Sequence, residues 1–377
     1  MKTQILFQEN RLEDLIKLVK EHKIERIFLV RGGKSYANTG AELFIKKLVG
    51  DIEIVSFYDF DINPNVVDLS RGVDLFRTNK FDLIIAIGGG SVLDMAKLIS
   101  VFANQNDDFE EIIKSNKISN NSKTPLLAIP TTAGTGAEAT HFAVVYIGKS
   151  KYSVADDNIL PNYVYLSSMF SNYAKSYLTA CTGLDAFSQA IESVWSVNSN
   201  EESMGYGLNA IELIWNNIAK AVNSNDKEAK YAMQEASYLA GKAINITKTT
   251  APHAISYTFT SYYDIPHGHA VSISLPYFMK YNYYVEEEDC TDNRGFMSVK
   301  NRIDKILDIL GLNILEVEEA LIKFFELLGI EININKLILE FDKELIINNV
   351  NTERLSNNPR MVTKETINSF IEKSIKY

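Results

Sequence analysis

Residues 81–103 read FDLIIAIGGGSVLDMAKLISVFA and predict a strand, a glycine turn and a helix in succession. The apolar run 81–87 is typical of a strand covered on both faces, and the glycines after it mark its end. The pattern recurs on either side, with strands predicted at Glu25–Val30, Ile52–Tyr58 and Pro125–Ile129 and helices at Arg11–His22, Tyr36–Leu48, Val66–Thr78 and Val92–Ala103. Alternating strands and helices favour a parallel sheet with helices on both faces, which binds ligands at the carboxyl ends of its strands.

The glycine turn is the first candidate for ligand binding. Gly88–Ser91 follows a strand and opens a helix, so glycine backbone can approach a pyrophosphate while the free helix N–H groups bind it. Ser91 and Asp94 have the S-x-x-D spacing of a capping box, so a capped tight turn is the plainer interpretation, and both can hold together. A second loop rich in hydroxyls and glycine, Thr131–Gly136, follows the next predicted strand, and the two loops together predict a dinucleotide site.

The second half of the chain has a different pattern. Segments of helical periodicity are predicted at Leu178–Trp195, Glu202–Val222, Lys227–Asn245, Lys300–Leu310, Ile314–Leu328, Ile334–Asn348 and Lys364–Ile375. No buried strand is evident among them. We therefore predict an α/β domain over residues 1–172 and an all-helical domain over residues 173–377, which suits a chain of 377 residues.

Histidines are concentrated in one stretch of this helical half. Residues 249–276, TTAPHAISYTFTSYYDIPHGHAVSISLP, hold three of only five histidines. Pro266 interrupts the helical pattern, so we predict a helix from about Ala251, a turn at residues 264–266 and a new helix at His267. Two helix segments can bring His253 and His267 to one point, although histidines near a helix start more often cap or pack.

A carboxylate on the preceding helix gives those imidazoles a partner. Asp185, Gln189 and Glu192 are spaced i, i+4 and i+7 and therefore share one helix face. A carboxylate beside two imidazoles is a ligand set for a first-row metal ion.

Composition narrows the class of protein. A net charge of −10 and a pI near 5.2 argue against nucleic acid as a partner, and no run of about 18 apolar residues predicts a membrane span. The N-terminal residues lack the pattern of a signal peptide, and two cysteines fit a reducing cytoplasm. We expect a cytoplasmic protein that binds neither nucleic acid nor membrane.

The order and spacing of five motifs resemble the iron-containing alcohol dehydrogenase family. These motifs are GGGSVLDMAK (88–97), PTTAGTGAE (130–138), TGLDAFSQAIES (182–193), IPHGHA (265–270) and NPR (358–360). The resemblance implies a Rossmann-like N-terminal domain and a helical C-terminal domain, the dehydroquinate synthase-like fold. It also implies an NADP or NAD cofactor, a divalent metal (Fe²⁺ or Zn²⁺), a small aldehyde substrate and a homodimer.

The resemblance assigns roles to particular residues. The cofactor-binding residues it implies are Gly32, Asn63, Gly89, Gly90, Ser91, Asp94, Thr131, Thr132, Thr135 and Lys151. The metal ligands it implies are Asp185, Gln189, His253 and His267, of which Asp185, His253 and His267 would also be catalytic. Gln189 departs from the family, which usually has histidine there, and its amide oxygen is a weaker donor. His269 could replace that ligand or support the site.

Within the family, the stretches TKTTAPHAISYTFTSYYDIPHGHAV and DAFSQAIES resemble the branch that reduces phosphonoacetaldehyde to 2-hydroxyethylphosphonate. Lys248 is the candidate cation for the phosphonate, with Thr249 and Thr250 as additional donors and His269 as a further substrate contact. The alternatives are a reductase of unphosphorylated aldehydes such as lactaldehyde and a metal-free, non-catalytic relative. A lyase such as dehydroquinate synthase should carry more basic residues.

The resemblance also bears on the choice of nicotinamide cofactor. Family members can carry an acidic residue after an early strand, where it binds the ribose 2′-OH and disfavours a 2′-phosphate. Gly32 stands at that position here, beside Arg31 and Lys34. We therefore expect NADPH to be accepted at least as well as NADH. The alternative is that both cations are solvated surface charges.

Overall fold

The computed structural model describes residues 4–119, 123–148 and 150–377, and the side chains of Lys34 and Ser35 lie outside this description. The chain forms two compact units, Met1–Tyr173 and Ala174–Tyr377. Among the described helices, none combines the length and apolar character that a membrane crossing requires.

Unit 1 contains all the strands of the described chain. They are β1 (Ile5–Phe7), β2 (Arg26–Arg31), β3 (Glu53–Phe57), β4 (Leu83–Gly88), β5 (Leu126–Pro130), β6 (Phe142–Ile147), β7 (Ser150–Ala155) and β8 (Tyr163–Tyr165). Six of them form a parallel sheet in the order β1-β8-β5-β4-β2-β3, and β6 and β7 form an antiparallel hairpin. The four predicted strands are confirmed as β2 to β5.

The helices of unit 1 connect these strands and cover both faces of the sheet. They are α1 (Leu12–Glu21), α2 (Lys34–Asn38), α3 (Ala41–Val49), α4 (Val66–Arg77), α5 (Gly90–Phe102) and α6 (Phe109–Ser115), with short 3-10 turns at Glu9–Arg11, Ala137–Ala139 and Ser171–Tyr173. The single helix predicted over residues 36–48 is wrong: Gly40 has φ +75°, which ends α2 and allows α3 to begin one residue later.

Strand β4 shows how the apolar run at 81–87 builds the sheet. Ile84 and Ala86 belong to the core on one face, whereas Leu83, Ile85 and Ile87 belong to the core on the other. Successive side chains of a strand point to opposite faces, so a strand buried on both sides must be apolar at every position.

The order of the strands places the glycine turn at a special point of the sheet. The chain runs from β2 outward to β3 and then returns to β4 on the other side of β2. The loops after β2 and β4 therefore leave the same edge in opposite directions. This arrangement is the switch point at which open parallel sheets bind ligands.

Unit 2, residues 174–377, is helical throughout and contains no strand. Its helices are α7 (Ser176–Trp195), α8 (Glu201–Asn223), α9 (Lys227–Thr247), α10 (Ala251–Tyr263), α11 (His267–Tyr283), α12 (Phe296–Leu310), α13 (Val317–Leu327), α14 (Ile334–Leu337), α15 (Lys343–Asn348), α16 (Thr352–Leu355) and α17 (Lys364–Ser374). The predicted α/β plus all-helical fold class is confirmed. The one helix predicted over residues 334–348 is instead two, α14 and α15.

Helix α7 is the centre of unit 2. Every residue from Gly183 to Trp195 is buried, and α8, α9, α10 and α11 surround the helix or pack on its neighbours. A helix buried on all sides holds its side chains in fixed rotamers, so polar groups on it need partners within the protein.

Candidate active site

The predicted break between the two histidine-bearing helices is confirmed. α10 ends at Tyr263, Asp264 adopts the left-handed conformation with φ +55°, and α11 begins at His267 directly after Pro266. Pro266 is the N-cap of α11, where its fixed φ angle is tolerated and its missing N–H leaves no donor unsatisfied. A turn of three residues thus separates the two helices, α10 packs against α11, and α11 packs against α7.

Gly268 allows α11 to approach α7 closely. An ideal Cβ at Gly268 would lie 1.9 Å from the carbonyl oxygen of Cys181 and 2.9 Å from Cβ of Asp185. No side chain fits at such distances, so glycine is required for backbone contact between these helices. This contact places His267 beside Asp185.

Three helices thus bring Asp185, His253 and His267 into one cluster. One potential ligand atom from each lies within 4.8 Å of the others. Nε2 of His253 lies 3.3 Å from Oδ1 of Asp185, and the centroids of the two imidazole rings are 5.4 Å apart. Tyr257 stacks on His267 with ring planes only 6° apart, which restricts the orientation of that imidazole.

The cluster is strongly polarised. Burial alone would raise the pKa of Asp185, but the hydrogen bond from His253 and the charge of His267 bring it below its usual value. Burial would lower the pKa of His253, whereas the charge of Glu192 and the hydrogen bonds to Asp185 and Glu192 raise it to about 10. Two carboxylates, Asp185 and Glu192, contact His253 in this buried centre, so a bound cation would be stabilised by their negative charge.

The donor set fits a divalent metal ion. Two ligands at about 2.1 Å from one tetrahedral ion lie about 3.4 Å apart, close to the 3.3 Å between His253 and Asp185. Two imidazoles and a carboxylate are ligands typical of Zn²⁺ and Fe²⁺. His267 is partly exposed, while Asp185 and His253 are buried.

Gln189 lies on the same buried face of α7, one turn after Asp185. Its side chain hydrogen-bonds the Asp185 carboxylate, which helps to keep the pKa of that group low. The proposed fourth ligand therefore contacts the first. Its coordination of a metal stays a prediction.

His269 does not join the cluster. Its Nε2 contacts the carbonyl oxygen of Glu331, which can only accept, so Nε2 carries the proton. Its Nδ1 lies 2.8 Å from the Tyr177 hydroxyl and accepts the hydrogen of that hydroxyl. Both ring nitrogens are used in these contacts, and a role of His269 as a ligand in place of Gln189 or as a substrate contact stays a prediction.

Glu192 had no predicted role beyond its place on the helix face. It is fully buried and contacts Nδ1 of His253 through Oε1. Its Oε2 accepts from the backbone N–H of Thr250 at 2.6 Å and from the Thr250 hydroxyl at 2.8 Å. A signal in the sequence was available, because a carboxylate on a buried face requires partners.

In unit 1, the two predicted cofactor loops lie against each other. The Thr131 N–H donates to the Gly88 carbonyl at 2.9 Å. Ideal Cβ atoms at Gly89 and Gly90 would lie 3.4 Å from Oγ1 of Thr132 and 2.8 Å from Cγ2 of Thr135. The structure thus brings together the glycines after β4 and the threonines after β5 at the sheet edge where a dinucleotide is expected.

The predicted capping box is wrong. Gly89 is the N-cap of α5, without a side-chain cap, and the helix already includes Gly90 and Ser91. Asp94 therefore lies one turn inside the helix, where its Oδ2 accepts from the Val144 N–H at 3.0 Å. The α5 amino end has no side-chain cap, which suits the binding of an anion there.

Asp94 belongs instead to a partly buried ionic cluster. Nζ of Lys97 lies 3.5 Å from Oδ1 of Asp94 and donates to the Ala137 carbonyl at 2.8 Å. Lys151 on β7 acts electrostatically on the same carboxylate. The predicted cofactor residues Asp94 and Lys151 are thus connected, and Asp94 fixes the β6 backbone to α5.

Glu138 is expected to make the fold less stable as the pH rises. Burial raises its pKa from 4.5 to about 7, although its own backbone N–H and the charge of Lys97 lower it. The folded state thus holds this proton more tightly, so stability falls between those two pH values. The free energy of unfolding of Glu138→Gln minus that of the native protein should be about 1–2 kcal/mol larger at pH 8 than at pH 5.5. Thermal unfolding of both proteins at the two pH values measures this difference. A stability difference that is equal at both pH values would contradict this prediction.

The other two predicted cofactor residues follow β2 and β3, at the same sheet edge. Gly32 comes directly after β2 and its carbonyl accepts from Arg31 at 3.1 Å, and Asn63 is exposed in the loop after β3. The Arg31 guanidinium lies over the rings of Tyr58, at 3.8 Å, and Tyr36, at 4.7 Å. Arg31 is therefore held in place and is not a freely solvated charge, whereas the Lys34 side chain lies outside the description.

Comparison with known proteins agrees with both halves of this description. Residues 2–168 match the family model "Iron-containing alcohol dehydrogenase", and residues 179–375 match "Fe-containing alcohol dehydrogenase family, C-terminal". The chain therefore belongs to the iron-containing alcohol dehydrogenase family, and it is an oxidoreductase.

Individual relatives and structures share this similarity. Long-chain-alcohol dehydrogenase 1 of Geobacillus thermodenitrificans is 35% identical over 56% of this chain and 54% of its own length, about half of that relative. Phosphonoacetaldehyde reductase of Streptomyces viridochromogenes is 33% identical over 62% of each chain. The crystal structure of an iron-containing alcohol dehydrogenase from Thermotoga maritima matches with a TM-score of 0.82 and 26% identity, covering 100% of this chain and 99% of that one.

Proposed function

We propose that the protein reduces a small aldehyde to the primary alcohol with NAD(P)H, and that its substrate is phosphonoacetaldehyde, reduced to 2-hydroxyethylphosphonate. The cluster of Asp185, His253 and His267 is the observation that carries this proposal. The glycine and threonine loops of unit 1 would bind the dinucleotide, and unit 2 would bind the metal ion and the aldehyde.

The proposed reaction assigns a role to each of these groups. The nicotinamide donates a hydride to the aldehyde carbon, and a proton must reach the oxygen. When bound by Asp185, His253 and His267, a divalent cation supplies Lewis acidity at that oxygen. Asp185 supplies the negative charge that retains the cation, while Tyr257 keeps the ring of His267 in one orientation.

NADPH is the proposed preference among the two cofactors. Gly32 leaves no carboxylate at the end of β2, so nothing there repels a 2′-phosphate. The stacked Arg31 is pre-organised, and a guanidinium held between aromatic rings loses little freedom when it binds phosphate.

Lys248 is the proposed phosphonate-binding residue. It ends α9 with φ +60° and ψ −178°, a backbone conformation that glycine adopts almost exclusively and that costs a lysine about 1–3 kcal/mol. A lysine retained at this cost suggests a role for its side chain. The hydroxyl of Thr250 donates its hydrogen to Glu192 and accepts from Trp195, so it has no hydrogen left for a phosphonate.

Two variants of Lys248 separate its charge from its backbone strain. Lys248→Met removes the charge and keeps the strain, whereas Lys248→Gly removes both. Either variant should lower kcat/KM for phosphonoacetaldehyde by about 10–100-fold, the loss of one charge-assisted hydrogen bond. Propionaldehyde should be unaffected. Only Lys248→Gly should also unfold at a higher temperature, by the equivalent of about 1 kcal/mol.

The assay follows NADPH and NADH oxidation with phosphonoacetaldehyde, lactaldehyde and propionaldehyde. A wild-type preference for lactaldehyde or propionaldehyde would refute the phosphonate substrate while keeping the reductase. An enzyme that oxidises neither cofactor with any aldehyde would support a non-catalytic relative. A tenfold better kcat/KM with NADH would refute the cofactor preference.

A further inference from the structure

The buried carboxylate of Glu192 is part of a chain of hydrogen bonds whose direction is fixed at one end. The indole Nε1 of Trp195 can only donate, and it lies 2.8 Å from Oγ1 of Thr250. The Thr250 oxygen therefore accepts that bond and turns its own hydrogen elsewhere. Oε2 of Glu192 lies 2.8 Å away and is its acceptor.

The donors around Glu192 determine the direction of the hydrogen bonds that its carboxylate makes. Oε2 of Glu192 receives two donors, the hydroxyl and the backbone N–H of Thr250 at 2.6 Å. An oxygen with two short donors carries no proton, and such donors favour the ionised carboxylate, which can only accept hydrogen bonds. Its other oxygen, Oε1, contacts Nδ1 of His253, which must donate.

The hydrogen bond at Nδ1 determines what the other ring nitrogen of His253, Nε2, can bind. Nε2 of His253 lies 3.3 Å from Asp185, and a metal ion bound there would replace the proton on Nε2; the remaining proton then stays on Nδ1 and the lone pair lies on Nε2. A neutral imidazole binds a metal ion through that nitrogen only in this tautomer. Every member of the chain is buried, from Trp195 to His253, so water does not compete with these bonds.

We propose that Glu192 is a positioning residue, which fixes the ring and the tautomer of His253 so that Nε2 faces the metal ion. This inference rests on the proposed metal centre at Asp185, His253 and His267. Outer hydrogen-bond partners of metal-binding histidines typically change metal affinity by about 10–100-fold. Thr250 holds Glu192 in place through a hydrogen bond, and Trp195 in turn holds Thr250 through another.

The decisive variant is Glu192→Gln, which keeps the size of the side chain. One orientation of the amide would set an NH₂ group against the two donors of Thr250. The flipped orientation would set it against Nδ1 of His253 and move the proton to Nε2. The first orientation breaks the hydrogen bonds from Thr250 that hold the side chain, and the second removes the lone pair from Nε2 of His253. We therefore expect Co²⁺ to bind metal-stripped Glu192→Gln about 10–100-fold more weakly than wild type.

The measurement is a titration of metal-stripped protein with Co²⁺, monitored by calorimetry and by the visible absorption bands of bound Co²⁺. Ser188→Ala is the matched control, because it removes a buried hydroxyl of the same helix that donates only to Leu184 of α7, at 2.8 Å. That variant should bind Co²⁺ as wild type does. A second pair guards against misfolding of Glu192→Gln: Thr250→Val should weaken Co²⁺ binding several-fold, and Thr250→Ser, which keeps the hydroxyl, should restore it.

The outcomes separate this inference from the proposed function. If wild-type protein binds no Co²⁺, Zn²⁺ or Fe²⁺, the metal centre itself is refuted. If wild type binds Co²⁺ and both Glu192→Gln and Thr250→Val bind it within twofold of wild type, with the same visible bands, the positioning role is overturned while the metal centre stands.

Discussion

Replacing His267 with alanine is expected to lower kcat by at least about 100-fold, because the loss of a metal site removes several kcal/mol of charge stabilisation in the transition state. Asp185 and His253 would remain as a two-ligand site, too few for retention of Zn²⁺ or Fe²⁺. Metal content after anaerobic purification should fall in parallel with activity.

The fold should tolerate this change. His267 is partly exposed at the first position of α11, so its removal creates no closed cavity, and the unfolding temperature of metal-free protein should move little. His22→Ala is a matched control, since His22 is an exposed histidine at the end of α1. It should leave both metal content and activity unchanged. Full activity of wild-type protein from which all metal has been stripped would rule out the metal centre.

Gly268→Ala is expected to cost both stability and metal binding. The added methyl group would overlap the Cys181 carbonyl oxygen at 1.9 Å and crowd Asp185 at 2.9 Å, so α11 must move away from α7. Overpacking of a close helix contact typically costs about 1–3 kcal/mol or more. Because His267 precedes Gly268 and Asp185 borders the clash, the same movement separates two of the three ligands.

Gly205→Ala is a matched control that should change stability in the opposite direction. Gly205 lies on an exposed position of α8, and its ideal Cβ would meet nothing within 4 Å. Alanine there should stabilise the helix by about 0.5–1 kcal/mol. Thermal unfolding and Co²⁺ titration of both variants test the prediction. Gly268→Ala protein with wild-type stability and affinity would show that the contact between α7 and α11 is unimportant.

Long, periodic elements of this fold could be predicted from the sequence, and short ones could not. The apolar strand β4 and helix α7 have patterns that local residues determine. Strands β1 and β8 have three residues each and pair with one another across more than 150 positions of sequence. Their existence depends on tertiary contacts that no local pattern contains.

The candidate site divides in the same way. Asp185, His253 and His267 were predicted because residue type and helical spacing indicate a ligand set. The hydrogen bonds of Glu192 and His269 were not predicted, because they depend on which helices pack together and at what rotation. The capping box failed because the backbone places the helix start at Gly90, a matter of loop conformation and not of residue type.

The three proposed metal ligands all belong to unit 2, while the glycine and threonine loops all belong to unit 1. Under the proposed function, Arg31 and Gly32 of unit 1 would set the choice of cofactor, while Lys248 of unit 2 would set the choice of substrate. The two specificities would then be encoded in separate compact stretches of the chain, each with residues of its own to mutate.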